Sequence, residues 1–222
     1  MFATNRHPIV RRALSIFPTT LVVIAALFEI TRAVAAQSRG DSLRSDSEEI
    51  NDVVIHPVVR PHFVCLEHAA GQLPSLGDAL GSDCLVPDLT RGPVHKWPSF
   101  YRGDGQKNQD WYGWDVTVLA PFDGVVDSVH VNPSTNQPGH LGSERASTIV
   151  FHRSDGVRVL YAHLQRIEVH VGDRVTAGQS VARVGNNGPA WFPHIHIGAW
   201  KGDRPLQVRF DLRAMGQMRR SN

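Results

Sequence analysis

From about residue 97 onward, short apolar runs alternate with polar positions and are cut by glycine, proline and Asp-Gly or Asn-Gly pairs. The run 116–120 stops at Pro121, and Asp123-Gly124 turns the chain into 124–129. A polar loop over 132–147 follows, with Pro133 and Pro138 inside it. Residues 148–152 and 157–164 flank Ser154-Asp155-Gly156, a strong hairpin signal. Alternation resumes over 167–171, 174–177 and 180–184, then over 193–200 and a final run at 206–212. No long stretch carries a 3.6-residue period. The pattern therefore predicts a mainly β fold, an antiparallel β-sheet or β-sandwich-like domain whose hairpins close over a single core.

The first half of the chain reads differently. Arg6, Arg11 and Arg12 precede the apolar run 21–28, and Ala33-Val34-Ala35 offers a small-x-small cleavage site, so 1–36 is read as a signal peptide. Pro18, Glu29 and Arg32 cut that run short of the roughly twenty residues a membrane anchor needs. No stable anchor is expected once the leader is removed, and the expected location is outside the cytoplasm, periplasmic or secreted. Residues 37–52 are polar and charged, with too little apolar surface to offset ordering entropy, and read as a flexible spacer. Residues 53–96 form an N-terminal extension, which opens with apolar runs interrupted by Pro57 and Pro61 and is too short for a core of its own. The β domain spans 97–214, and 215–222 is a basic tail expected to be solvated and frayed.

Charge changes the picture little. Lys+Arg 23 against Asp+Glu 21 gives near balance, which does not point to nucleic acid. The two cysteines matter more: in an oxidising compartment Cys65 and Cys84 are expected to pair, contributing roughly 3 kcal/mol in the chain-entropy account.

The candidate chemistry lies in Pro193-His194-Ile195-His196-Ile197. On a strand His194 and His196 share one face while Ile195 and Ile197 pack behind. His163 falls in period with Val159 and Tyr161 on another predicted strand, and Asp115 precedes a third. Imidazoles with one carboxylate suit a zinc ion.

In order, Trp111-Tyr112-Gly113-Trp114-Asp115, Ala120-Pro121-Phe122-Asp123-Gly124, Tyr161-Ala162-His163-Leu164, Gly172-Asp173-Arg174-Val175, Gly185-Asn186-Asn187-Gly188 and Pro193-His194-Ile195-His196 resemble the lysostaphin/LytM-type zinc endopeptidases. The resemblance covers roughly 110–200. It implies a LytM domain of the duplicated-hybrid-motif type, a groove holding one zinc ion (Zn2+), and cleavage of peptide cross-links in cell-wall peptidoglycan. It also implies metal ligands at Asp115 and His196 and catalytic histidines at His163 and His194. His194 would act as general base or hold the attacking water, and His163 would donate to the oxyanion.

One position departs from the family pattern: Trp111 stands where the first ligand histidine is expected, and an indole cannot bind zinc. Three readings follow. Another side chain replaces the histidine, with Asp110 the nearest candidate and Asp104, Asn108 and His95 further off. Alternatively the domain is non-catalytic and binds peptidoglycan or activates a wall amidase. Last, His163, His194 and His196 make a three-histidine site. Trp111, Tyr112, Trp114 and Trp191 are candidates to stack on substrate, and Asn187 reads first as a turn residue and second as a substrate contact.

Overall fold

The computed structural model describes residues 49–90 and 98–220, so the predicted leader, most of the predicted spacer and His95 lie outside the described residues. The main sheet runs in the order β1 (Asp52–Ile55), β12 (Arg204–Phe210), β11 (Ile195–Lys201), β7 (Val157–Ala162), β6 (Thr148–His152), β5 (Gly124–His130) and β9 (Arg174–Val175). Its pairings are antiparallel except that of β1 with β12. A smaller antiparallel sheet joins β4 (Thr117–Leu119), β10 (Ser180–Val184) and β8 (Leu164–Gln165). Phe151, Tyr161, Ile195 and Ile197 from the first sheet and Val118, Leu164 and Val181 from the second are fully buried in one core. The mainly β fold class follows from the alternation: Val53 and Ile55 of β1 and Val157, Val159 and Tyr161 of β7 are buried while the residues between them are not.

The extension does not stand apart. Its hairpin, β2 (Val64–Glu67) with β3 (Ser82–Leu85), attaches through β3 to β11. One edge of β11 is therefore divided: Ile195 to Ile197 pair with β3, and Ala199 to Lys201 pair with β12. Gly198 lies at the fork, and a Cβ there would sit 1.7 Å from the Gly77 carbonyl oxygen. Only a residue without a side chain lets the 77–81 loop cross β11 at that distance. The expected Cys65–Cys84 disulfide is formed, between residues directly opposed in the hairpin register.

Three expectations fail on local grounds. The strand expected over 157–164 ends at Ala162, because His163 adopts a left-handed backbone with φ 62° and carries the chain into the second sheet. Residues 167–171 form no strand; Val169 alone of them is buried. The tail is not frayed over its described part: Leu212–Arg220 is a helix, α1, whose first turn is capped by Asp211 Oδ1 accepting from Arg213 and Ala214 backbone N–H at 2.8 and 3.1 Å. At nine residues it is too short to announce itself by periodicity. Among the described residues no helix is long and apolar enough to cross a membrane.

Replacing Gly198 by alanine should cost about 1–3 kcal/mol by overpacking, because the obstructing atom is backbone. Gly216→Ala, in a helix with nothing within 4 Å of the added Cβ, should instead stabilise by about 0.5–1 kcal/mol. Urea unfolding of the two variants beside the parent measures both.

Candidate metal and catalytic centre

His194 lies just before β11 and His196 within it, while Ile195 and Ile197 are buried behind them, as the alternation predicts. His163 arrives through its left-handed turn. Its ring centroid lies 4.6 Å from that of His194 and 6.2 Å from that of His196. All three rings are buried and line one groove of about 660 Å³.

Backbone carbonyls orient these rings. His163 Nδ1–H donates to the Asn187 carbonyl and His194 Nδ1–H to the Phe192 carbonyl, each at 2.8 Å. Burial, reinforced by the neighbouring His194, pulls the His163 pKa down to about 3. Near pH 7 that ring is neutral, and its Nε2 carries the lone pair. It is set up to accept a hydrogen bond there. The expected role of His163 as oxyanion donor would need a proton that its surroundings disfavour.

The carboxylate among these imidazoles is Asp83, from the extension. Antiparallel pairing makes Asp83 the direct cross-strand partner of His196. Its Oδ1 lies 2.9 Å from His196 Nδ1 and 3.5 Å from His194 Nε2, and its Oδ2 lies 3.4 Å from His68 Nε2. On its other side His196 Nε2–H donates to the Gly77 carbonyl at 3.0 Å and lies 3.1 Å from Asp78 Oδ1. Burial alone would lower the His196 pKa, but its hydrogen bonds to Asp78 and Asp83 outweigh this and push it up to about 9. Burial likewise opposes charge on Asp83, and hydrogen bonds from His194 and His196 more than offset it, holding the carboxyl far below its ordinary range. Asp78 is also lowered, chiefly by its hydrogen bond with His196.

Several expected site residues lie elsewhere or do other work. Asp115, expected as a metal ligand, does not line the groove; its carboxylate accepts from Gln165 Nε2 at 3.3 Å and pairs with Arg166 at 3.4 Å. A left-handed backbone, φ 59°, accompanies that placement. Asp110, the candidate substitute ligand, instead closes a 3-10 turn, with Oδ2 accepting from Lys107 N–H at 3.1 Å. Asp104 Oδ1 accepts from Gln106 N–H in a neighbouring turn, and Asn108 is buried against Asn186. Asn187 is buried and fully used within the fold, accepting from Ser147 N–H and donating to the Leu164 carbonyl while its own carbonyl orients His163. It positions the histidine.

Of the aromatic candidates, Trp191 alone lines the groove, half-exposed. Tyr112 packs against the core beneath Arg102. Trp111, in the first-ligand position, stacks on Phe192 at 4.8 Å and donates from Nε1 to the Gly105 carbonyl. Trp114 does not line the groove.

His68 and Asp83 are the residues sequence reasoning missed. With His196 they offer ligand atoms all within 4.8 Å of one another, the metal-capable group found among the described residues. Two imidazoles and a carboxylate are a donor set that suits zinc. Zinc–nitrogen bonds of about 2.0–2.1 Å arranged tetrahedrally put donor atoms about 3.4 Å apart. Spacings of 2.9 and 3.4 Å from Asp83 to the two rings are close to this, so the residues present fit a divalent metal.

The model of Peptidase family M23 matches residues 111–208. No curated protein matches the sequence. Among solved structures the chain is similar to a point mutant of the catalytic domain of the prophage-encoded M23 protein EnpA from Enterococcus faecalis. Identity is 23%, coverage 66% of this chain and 92% of that one, and the TM-score 0.41. It is also similar to a zinc-containing peptidase from Vibrio cholerae, at 18% identity over 72% of this chain and 39% of that one, with a TM-score of 0.41. The catalytic domain of the antimicrobial peptidase lysostaphin from Staphylococcus simulans shares 26% identity over 46% of this chain and 80% of that one, with a TM-score of 0.31. The family match starts at Trp111, so the M23 segment excludes the β2–β3 hairpin that supplies His68 and Asp83.

The two shifted histidines of the cleft act on stability in opposite senses. Below the ordinary value of 6.5 the unfolded chain takes up a proton that His163 refuses until about pH 3, so its contribution falls as pH drops through that window. His196 holds its proton to about pH 9, so its contribution falls as pH rises from 6.5 to 9. Metal-free protein should therefore be most stable near pH 6.5. In urea unfolding across pH, His163→Gln should flatten the acid limb and His196→Gln the alkaline limb.

Proposed function

We propose that this protein is an exported, zinc-dependent endopeptidase that cuts peptide cross-links of bacterial cell-wall peptidoglycan. The observation that carries the reading is the pair of adjacent buried imidazoles, His163 and His194, each held by its Nδ1–H on a backbone carbonyl at the floor of an open groove. A binding surface has no chemical use for two imidazoles fixed in this way; proton transfer during hydrolysis does. The match of residues 111–208 to a peptidase family model supports the same reaction class. The Cys65–Cys84 disulfide supports an oxidising compartment, in agreement with the leader-like N-terminus.

Zinc bound beside His196 would supply Lewis acidity for the scissile carbonyl. His163, kept neutral by burial, is placed to accept a hydrogen bond from the attacking water at Nε2 and so orient it. His194, with Nδ1–H on Phe192 and Nε2 turned toward Asp83, is placed to take that water's proton, with the carboxylate beside it to balance the charge that results. Trp191 and Phe192 give the groove an apolar wall for the flanking peptide.

A second reading has its own support: Trp111 and the diverted Asp115 remove two of the ligand positions the family resemblance implies, as in a domain that binds peptidoglycan or activates a wall amidase. Cleavage separates the two. Purified protein incubated with peptidoglycan should release peptides with new amino termini, seen by mass spectrometry. His163→Ala should lower the rate by more than about 100-fold while metal content holds. Wall binding without any release, unchanged by His163→Ala, would instead establish the non-catalytic role.

A further inference from the structure

We propose that the β2–β3 hairpin is part of the metal centre: His68 and Asp83 act with His196 as its protein ligands, in place of positions 111 and 115. The inference rests on the metal-dependent reading above but concerns residues outside the family segment.

Strand register delivers the first of these ligands. Asp83 is the cross-strand partner of His196, and neighbouring side chains on paired strands lie close enough to share one ion. The carboxylate divides its oxygens, Oδ1 toward His196 Nδ1 at 2.9 Å and Oδ2 toward His68 Nε2 at 3.4 Å. The hairpin that carries them is closed by the disulfide at Cys84, the residue after Asp83, and Cys65, three before His68.

A second observation is independent of the cluster itself. Metal-ligating histidines almost always give their other ring N–H to a carbonyl or carboxylate, which fixes the tautomer and aims the lone pair at the ion. Both rings are held this way. His68 Nδ1–H donates to the Asp78 carbonyl at 2.9 Å, and His196 Nε2–H donates to the Gly77 carbonyl at 3.0 Å with the Asp78 carboxylate beside it. The two carbonyls are consecutive in the 77–81 loop. In each ring the nitrogen left over is the one that faces Asp83.

The close approach is also paid for in glycine: a Cβ on Gly81 would lie 2.8 Å from His196 Cε1. Charge agrees as well. One carboxylate in contact and a second, Asp78, behind His196 balance a divalent ion with two neutral imidazoles.

The decisive experiment is zinc affinity of the full chain by chelator competition, with the visible spectrum of the cobalt(II)-loaded protein as a report on ligand number. The parent should take up one zinc per chain. Asp83→Asn and His68→Gln should each weaken binding by more than about 100-fold, beyond the usual cost of losing an outer-shell partner, and alter the cobalt spectrum. Asp115→Asn should leave both nearly unchanged. His68→Gln leaves β3 intact, so it decides the matter if Asp83→Asn does not fold. The proposal is overturned if Asp115→Asn releases the metal while Asp83→Asn or His68→Gln retains it, or if the parent takes up none. Metal bound by the named residues with no peptide cleaved would leave the ligand assignment standing and remove the endopeptidase reading. Cleavage that survives in Asp83→Asn with zinc retained would do the opposite.

Discussion

The carboxylate of Asp83, half-buried among three imidazoles, is the interaction on which the cleft depends. Partial removal from water opposes charge on an acid in that position unless cationic or donor groups face it. Here His196, His194 and His68 face its two oxygens, so the charge is kept and the rings are in turn fixed around it. Neither side is stable in this arrangement alone. The extension without β11 would hold an exposed acid, and β11 without the extension would hold a buried imidazole lacking its counter-charge.

This mutual dependence explains features of the backbone that would otherwise look costly. Gly198 and Gly77 meet at the fork of β11, and Gly81 clears the face of His196. Three positions therefore give up side-chain packing so that a loop can reach the ring of one histidine. The disulfide acts in the same direction, since the hairpin is short and its β2 strand pairs only with β3. A two-stranded hairpin is marginal by itself. Attachment through β3 and closure by the Cys65–Cys84 bond make it rigid enough to present a carboxylate and an imidazole at fixed separation.

Much of this was legible in the sequence and some could not be. Alternation and Asp-Gly turns gave β5, β6 and β7, and the cysteine pair was readable from compartment logic. The shared face of His194 and His196 followed from period two. His163 was placed in the cleft for the wrong reason: it lies at a left-handed break, not in period with Tyr161, because its carbonyl accepts from Gly185 N–H as the chain changes sheets. Asp83 and His68 were invisible for a different reason. The contact from Asp83 to His196 spans 113 residues, and nothing local to Ser82-Asp83-Cys84 distinguishes a ligand from an ordinary loop acid. Register between distant strands is set by the whole core, so residues brought together by it leave no spacing to read. Asp115 shows the converse, since a motif position was legible while the side chain's actual partner, Arg166, depended on a turn that was not.

The cleft also separates two kinds of histidine by the same physical rule. Burial disfavours charge on both His163 and His196, yet only His196 hydrogen-bonds carboxylates that overcome it. The neighbour of His163 is another imidazole and its polar anchor is a carbonyl, so desolvation outweighs the Asn187 hydrogen bond and the more distant Asp83 charge, and the ring stays neutral. A metal-dependent hydrolytic site can use this division, with one ring kept neutral beside the substrate and another set among carboxylates, where a cation belongs. The hairpin accomplishes it by choosing which ring its acids reach. Asp83 and Asp78 converge on His196 and leave His163 to the Asn187 carbonyl, so the extension that completes the centre also assigns the histidines their roles.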